Sequence, residues 1–445
     1  WLKASRLERA STAGGRKRPR PAGAMAYGCD DDTEDSGSED SSSGDSACEP
    51  GEVEQLPPQR LAFVVMTCVI GGYTLIGPLQ HDLKHHLNIA DRGALGEAFT
   101  QAVALVQWGK TAMTLGQNII FACVPTLTRV YISIFFMFLG VLIPPLFVFT
   151  LGSNWLGWVV LAYSTIGFSL GVFECTFLSV ISPLGPLTKS WAIMGFPAAF
   201  GIVNIIGGSL KALYDLPVVY IFWYVVACMP VGAVLLTRIA PRGTKVDGRS
   251  YKQAGIRSSL TEWDAWLIRM LPFVLVNIVS HFVMESALPA IFNTYNAHEV
   301  CLYGPQDTEH RMSTHWFLVV LYAFMLLADM GSRRIGYCFA LTTSASNFAA
   351  LFFALFCCAG GLYLLTFGIA ALSWFAIAMS FFGSGFNYAV TSKYIDRFVP
   401  RKHNLAAYSL WMFLGYLGAI AGATGVSIVK SWICSSVTDS PYQCT

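Results

Sequence analysis

Residues 131–151, YISIFFMFLGVLIPPLFVFTL, form an apolar stretch of 21 residues without a charged side chain. About 20 apolar residues are needed for a helix to cross about 30 Å of hydrocarbon, so this stretch predicts a membrane-spanning helix. Ten comparable stretches, each about 16 to 30 residues long, lie between positions 61 and 429. The chain is 54% hydrophobic and only 13% charged. The sequence therefore predicts an all-α polytopic membrane protein with about 11 transmembrane helices.

The longest hydrophilic connection follows the sixth apolar stretch, as expected for a transporter of two six-helix halves that lacks its last helix. The predicted spans are 61–80, 98–124, 131–151, 155–181, 191–212, 217–239, 265–292, 315–330, 336–358, 361–391 and 406–429. The predicted divisions are an N-terminal tail at 1–59, a six-helix half at 60–239, a linker at 240–264, a five-helix half at 265–430 and a luminal tail at 431–445.

The distribution of lysine and arginine predicts the orientation of the chain. Cytosolic loops of membrane proteins carry an excess of these residues. A cytosolic N-terminus places fourteen of them in cytosolic connections and five on the opposite face. Because the predicted number of spans is odd, the C-terminal tail is expected to face the lumen or the extracellular space.

The N-terminal tail has a different composition from the rest. Eleven acidic residues and no Lys or Arg occur between Asp30 and Glu54, within a Ser/Gly-rich run. Such a segment cannot bury enough apolar surface to offset the entropy of ordering, so we expect it to be disordered. It is a candidate site for trafficking partners. The basic segment before Met25 is excluded from the fold prediction, and nucleic acid is not an expected partner.

Neither the twelve cysteines nor the short motifs predict a catalytic or metal-binding site. Most cysteines lie within or beside predicted spans, where a free thiol behaves as a small apolar side chain. Cys301, Cys434 and Cys444 are expected on the oxidising face, and one disulfide among them is allowed without a choice of pair. The sequence contains no P-loop, no GxSxG motif and no metal-spaced Cys/His cluster. No metal, cofactor or enzymatic activity is predicted.

Four acidic, basic or histidine residues lie more than five positions from either end of a predicted span. Glu174 is in span 4, Lys110 in span 2, and His281 and Glu285 in span 7. A charge at the bilayer centre costs about 2.5 to 3.5 kcal/mol on insertion scales, so such groups pair, lose their charge or line a wet cavity. The alternative for Glu174 and Lys110 is a side chain that extends to the interface.

His281 and Glu285 are four residues apart and therefore share one face of a helix. One reading is a structural His–Glu hydrogen bond. The other is a proton-exchanging pair, because histidine titrates near physiological pH and burial moves a glutamate toward that range.

The connection after span 8 reads LADMGSRRIG at 327–336. It resembles the major-facilitator loop motif, with Asp329, Arg333 and Arg334 as gating-loop candidates. The two arginines can also be read as positive-inside anchors.

Several fragments in order together resemble the battenin family of lysosomal membrane proteins. They are Tyr73 with LQHDL at 79–83, GVFECTFLS at 171–179, Ser190, Trp191, Gly195, Pro272, Trp316, Tyr388 and a last helix ending near Cys434. The resemblance implies an eleven-helix relative of the major facilitators and, more distantly, of equilibrative nucleoside transporters. It implies a lysosomal or vacuolar location and roles in organellar pH, amino-acid balance and export of glycerophosphodiesters.

The chain also departs from that family. Ser280 and Ser380 stand where the family usually has Glu, and PRKHNLAAY at 400–408 is basic where relatives are acidic. Asp329, Met330 and Gly331 replace a Ser-Arg-Ser. These departures favour a divergent member with a different solute.

The major-facilitator geometry implied by the resemblance places spans 1, 4, 7 and 10 around a central cavity. Tyr73, Glu174, His281, Glu285 and Asn387 then line it, with Lys110 on a neighbouring helix. The leading hypothesis is a proton-linked carrier of small polar solutes. The alternatives are a nucleoside or amino-acid carrier of another compartment, a non-transporting scaffold and, least favoured, an intramembrane enzyme.

Overall fold

The structure is a computed structural model of the chain. It describes residues 58–75, 83–84, 86–89, 94–214, 216–239, 259, 261–295, 299–304 and 309–435. Residues from Gln55 to Thr445 form one compact unit. Residues 1–57 of the predicted tail, most of the predicted linker and Cys444 lie outside the described residues, and the first helix begins at Pro58 and includes the last two positions of the predicted tail.

The first six predicted spans each contain a helix. α2 and α3 are joined by a short turn, and α3 ends in a π-helical segment that begins with two prolines. The helices are α1 (Pro58–Thr74), α2 (Ala94–Ile120), α3 (Thr126–Ile143, continued by Pro144–Thr150), α4 (Gly157–Ile181), α5 (Pro186–Gly201, continued by Ile202–Gly207), α6 (Gly208–Tyr214) and α7 (Val218–Ile239).

The last five predicted spans are also helical, and a small antiparallel hairpin follows the first of them. The elements are α8 (Trp263–Thr294), β1 (Glu299–Cys301), β2 (Arg311–Ser313), α9 (Thr314–Cys338), α10 (Ser344–Leu365), α11 (Ala370–Phe398), α12 (Asn404–Thr424) and α13 (Val426–Ser435). α13 extends the helical region past position 430, where the luminal tail was predicted to begin.

The predicted connection between spans 8 and 9 was wrong. α9 continues to Cys338, so Asp329, Arg333 and Arg334 are on a helix and not in a loop. Lys393 Nζ donates to the carbonyls of Tyr337 and Phe339 at 2.8 and 2.7 Å and binds the end of this helix. A lysine at a helix C-terminus satisfies carbonyls that have no partner within the helix.

The predicted break between spans 336–358 and 361–391 was also wrong. α10 passes through Gly360 and ends at Leu365, and the turn lies at Gly368, whose φ is +65°. A Cβ on Gly361 would overlap Ser380 of α11. This glycine therefore brings two helices together instead of ending one, as small residues commonly do in membranes.

Within the described residues, α1 packs on α5 and α7, and α4 packs on α2 and α3. In the C-terminal part, α8 packs on α12 and α9 packs on α11. These two groups meet where α5 contacts α9 and where α2 contacts α12. Asn118 Nδ2 of α2 donates to Ser409 Oγ of α12 at 3.0 Å across this second junction.

Eight helical segments in the described part of the chain are long and apolar enough to cross a membrane. α1, with 17 residues, and the more polar α2 and α11 are not among them. Large apolar side chains point outward along the helices, as Phe352 at 71% and Leu327 at 72% exposure illustrate. Such side chains suit a lipid environment, so the chain is a multi-pass membrane protein.

The cysteines that were expected on the oxidising face differ in state. Cys301 is buried in strand β1. Cys434 is disulfide-bonded.

Candidate functional site

Close helix packing places Glu174 and Lys110 on adjacent helices. A Cβ on Gly171 of α4 would overlap the carbonyl oxygen of Lys110 in α2, and one on Gly167 would meet the Val106 backbone. Glycine at both positions therefore lets the two helices approach closely. Glu174 is 5% exposed and Lys110 is 4% exposed, so neither side chain extends to an interface.

Two tyrosine hydroxyls hold the Glu174 carboxylate. Tyr388 of α11 donates to Oε1 at 2.8 Å, and Tyr416 of α12 donates to Oε2. Hydrogen bonds to an ionised carboxylate are stronger than neutral ones. The carboxylate of α4 thus links the N-terminal helices to two C-terminal helices.

Lys110 lies between aromatic faces. Its Nζ is 4.0 Å from the ring centroid of Tyr416 and 5.2 Å from that of Tyr73. No carboxylate of the described residues lies within ion-pair distance of this ammonium. Gln107 Nε2, one turn earlier, donates to the Tyr73 hydroxyl at 3.3 Å. A cation over aromatic rings keeps its charge available to another group.

The predicted His281–Glu285 hydrogen bond is not among the contacts of the described residues. His281 Nδ1 lies 3.0 Å from the Asn277 carbonyl of its own helix, and its ring meets that of Tyr416 edge-on at 5.9 Å. Glu285 is within electrostatic range of Lys110 and Tyr73. Both residues therefore adjoin the site, but each through its own neighbours.

Asn387, beside Tyr388 on α11, is 1% exposed. Its Oδ1 accepts a hydrogen bond from Thr391 at 3.3 Å, while Nδ2 has no hydrogen-bond partner among the described residues. Tyr73, Glu174, His281, Glu285 and Lys110 are brought together, whereas no contact within the described part of the chain joins Asn387 directly to them.

Asp329 and Arg333 form a buried ion pair beside this site. Arg333 Nε and Nη2 donate to the two Asp329 oxygens at 2.7 and 3.1 Å, and Nη1 donates to the Ile193 carbonyl at 3.0 Å. The guanidinium also lies 4.5 Å from the Tyr388 ring centroid. The Asp329–Arg333 pair therefore contacts one of the tyrosines around Glu174.

The other predicted gating-loop arginine, Arg334, is exposed and donates to Ser190 Oγ at 3.2 Å.

A glycine substitution in α11 tests how closely this helix packs against the Asp329–Arg333 pair of α9. Gly385→Ala would place a Cβ into Asp329 Oδ1 and Ser332 Oγ. We expect it to displace the Asp329–Arg333 pair and destabilise the purified protein by about 1–3 kcal/mol, the usual cost of overpacking. The measurement is thermal unfolding in detergent.

Gly331→Ala of α9 is the matched control, because its Cβ meets nothing within 4 Å. Equal thermal stability of the two alanine variants would contradict the packing argument.

A second polar cluster joins the two groups of helices at the predicted cytosolic end, and sequence reasoning missed it. Lys189 of α5 donates to both oxygens of Asp396 of α11 at 2.7 and 2.8 Å, and to Tyr408 of α12. Ser182 Oγ donates to the same Asp396 carboxylate at 2.8 Å. The lysine side chain is 1% exposed and the aspartate side chain is 27% exposed. We call these four residues the Lys189 cluster.

The sequence indicates the Lys189 cluster only weakly. Lys189 is one of the fourteen Lys and Arg residues that the predicted topology places in the cytosol. Asp396 is an isolated acid near others of this group. Tyr416 had no sequence signal, because tyrosine is common in apolar helices.

Glu174 and Lys110 are both buried in this conformation. A cavity of about 630 Å³, open mouth included, lies between α1, α5 and α7, and its lining includes neither Glu174 nor Lys110. Within the described residues no group of three or more His, Cys, Asp or Glu side chains is arranged to hold a metal.

Comparison with known proteins identifies the fold of the chain. No protein-family model and no curated protein matches the chain. The crystal structure of the human organic anion transporter MFSD10 (TETRAN) matches with a TM-score of 0.60 at 13% identity, over 86% of this chain and 96% of that one. FucP, a Major Facilitator Superfamily transporter in the outward conformation, matches with a TM-score of 0.54 at 12% identity, over 85% and 98%. The predicted fold class is confirmed: the chain has an all-α, major-facilitator-like fold.

Proposed function

We propose that the protein is a proton-linked carrier of small polar solutes in the lysosomal or vacuolar membrane, and a divergent relative of battenin. The observation that carries this proposal is the Glu174 carboxylate, which is buried and bound by tyrosines of α11 and α12. One of these tyrosines also contacts the Lys110 ammonium, which has no carboxylate of the described residues within ion-pair distance. Ionisable groups kept at membrane depth mark ion and solute pathways. A non-transporting scaffold has no need of them, and solved structures with this fold favour a transporter over an enzyme.

Lys110 supports a solute with an anionic group. An ammonium that faces aromatic rings can bind a carboxylate or a phosphodiester without first breaking an ion pair. MFSD10 is described as an organic anion transporter, and the battenin resemblance implies amino acids or glycerophosphodiesters. The second candidate, a nucleoside or amino-acid carrier of another compartment, is favoured by Ser280 and Ser380, where the family usually has Glu.

Protonation of Glu174 supplies the coupling step. The ionised carboxylate accepts two charge-assisted hydrogen bonds, from Tyr388 and Tyr416. A protonated carboxyl loses that charge and becomes a donor at one oxygen, so the hold on α11 and α12 weakens. The helices can then separate and expose the site to the other compartment. We propose that the Lys189 cluster, which joins α5 to α11 and α12, closes the predicted cytosolic end.

The test is a flux assay with purified protein in proteoliposomes. The panel contains glycerophosphodiesters, amino acids and nucleosides, each with and without a pH gradient. We expect an anionic solute to accumulate faster when a proton gradient is imposed. No flux of any solute above empty liposomes would overturn the proposal.

The proposed orientation predicts opposite locations for the two termini. A reporter fused after Thr445 should be protected in the lumen, and one placed at Met25 should be accessible from the cytosol. Protease protection in intact and permeabilised organelles measures this. Both reporters on one side would exclude an odd number of spans.

We propose that the acidic N-terminal tail binds trafficking partners and contributes nothing to flux. Removal of residues 1–55, which hold the acidic run at 30–54, should leave flux unchanged in proteoliposomes and change only the fraction that reaches the lysosome. Loss of flux in the truncated protein would contradict this assignment.

A further inference from the structure

Tyr416 contacts both charges of the site through different parts of one side chain. Its hydroxyl donates to Glu174 Oε2, while its ring face lies 4.0 Å from Lys110 Nζ. Tyr416 is 4% exposed. One buried side chain therefore contacts a carboxylate through its hydroxyl and an ammonium through its ring face, while the described residues show no ion pair between these two charges.

The backbone on either side of Tyr416 is held firmly. A Cβ on Gly415 would overlap Asn277 Nδ2, and one on Gly418 would overlap the Ile278 carbonyl. These glycines therefore let α12 lie directly against α8. The Tyr416 and His281 rings also pack against each other with an angle of 77° between their planes. Such packing fixes the tyrosine ring in place, which a separating group requires.

We propose that Tyr416 is a positioning residue that keeps Glu174 and Lys110 from forming a direct ion pair. This inference rests on the proposed function, in which the separated carboxylate receives the proton and the separated ammonium receives the solute anion. A direct pair would neutralise both groups. The tyrosine maintains the separation while its hydroxyl stabilises the carboxylate.

The other charged or titratable groups around Glu174 are accounted for. Arg333 of α9 is neutralised by Asp329, and Tyr388 of α11 is the second hydrogen-bond donor. Arg129 of α3 donates to the Val124 carbonyl, and Lys189 of α5 pairs with Asp396. The remaining neighbours are Tyr73 of α1, Cys175 of α4, and His281 and Glu285 of α8. Lys110 is the cation that contacts the same tyrosine as the Glu174 carboxylate.

Two substitutions at this position have opposite expected signs. Tyr416→Phe keeps the ring but removes one donor to the carboxylate, so the protonation midpoint of Glu174 should move about one unit to higher pH. Tyr416→Leu removes the ring as well and lets Lys110 reach the carboxylate. An adjacent ammonium favours the ionised form, so the midpoint should move to lower pH.

Tyr388→Phe and Tyr388→Leu are the matched controls. Both remove the other donor to Glu174, and the neighbouring Arg333 stays bound to Asp329. Both should therefore move the midpoint to higher pH. Lys110→Met added to Tyr416→Leu should reverse the downward shift, because the ammonium is then absent.

The midpoint is read in two ways. Infrared difference spectra of the purified protein report the protonated carboxyl directly, with Glu174→Gln to assign the band, and need no transport. Flux against pH in proteoliposomes reports its consequence, and Tyr416→Leu should also raise the KM for an anionic solute about tenfold.

A Tyr416→Leu midpoint that moves upward, as in the Tyr388 variants, overturns the separating role. Infrared shifts of the expected signs without any flux support the role of Tyr416 and overturn the proposed transport.

Discussion

Replacing Glu174 with glutamine is expected to abolish the pH dependence of solute flux while the protein still folds. Glutamine keeps the size of the side chain and an acceptor for a tyrosine hydroxyl, but it cannot titrate. Tyr388 and Tyr416 would meet a permanently neutral group, as they do when Glu174 is protonated. Flux should then be the same at every pH, and an imposed proton gradient should no longer drive accumulation.

The measurement is initial flux across a series of pH values, with and without a gradient, in matched proteoliposomes. Glu309→Gln is a suitable control, because this glutamate lies in the loop before β2 and is exposed. Its flux profile should match that of the wild-type protein. A Glu174→Gln protein with the wild-type profile would assign the carboxylate to packing alone.

The helices could be predicted from the sequence because the membrane imposes a simple rule. A chain that crosses hydrocarbon must satisfy its backbone within each segment, so an apolar stretch such as 131–151 becomes a helix regardless of its partners. Local sequence patterns predicted a helix end near Gly360 that the structure does not have, because a glycine that ends a helix and one that permits close packing look the same in sequence. They also failed at Arg333, whose burial depends on Asp329 and Ile193.

The candidate site was predictable only in part. Glu174 and Lys110 were recognisable because a charge within an apolar stretch is costly. Their partners were not, since Tyr416 is 242 residues from Glu174 along the chain. The same holds for Asp396, which is 207 residues from Lys189. Long-range partners of polar groups are set by helix packing, which local sequence patterns do not encode.

Replacing Asp396 with asparagine is expected to weaken the closed predicted cytosolic end. The substitution leaves the buried Lys189 ammonium without a countercharge, although Ser182 and Tyr408 still accept its hydrogen bonds. Removing one partner of a buried pair costs about 3 to 5 kcal/mol. We expect about 3 kcal/mol, because Asp396 is 27% exposed. That energy corresponds to a shift of about 100-fold between the closed and open conformations.

Reactivity of a cysteine at position 392 measures this opening. Ser392 is fully buried and lies 3.0 Å from the Tyr408 hydroxyl. In a Ser392→Cys background, Asp396→Asn should increase modification by a membrane-impermeant maleimide, quantified for that cysteine by mass spectrometry. It should also lower the apparent melting temperature in detergent.

Two further variants separate the loss of the ion pair from a general loss of stability. Glu299→Gln breaks a pair with Arg311 in which both side chains are about half exposed, and exposed pairs contribute about 0 to 1 kcal/mol. It should change neither measurement appreciably. Lys189→Met combined with Asp396→Leu replaces the buried pair by apolar groups, which is often neutral for stability. That double variant should regain the melting temperature but keep the increased reactivity at position 392, because no charge pair then holds α5 against α11. Unchanged reactivity in Asp396→Asn and in the double variant would show that the Lys189 cluster is a packing feature and not a gate.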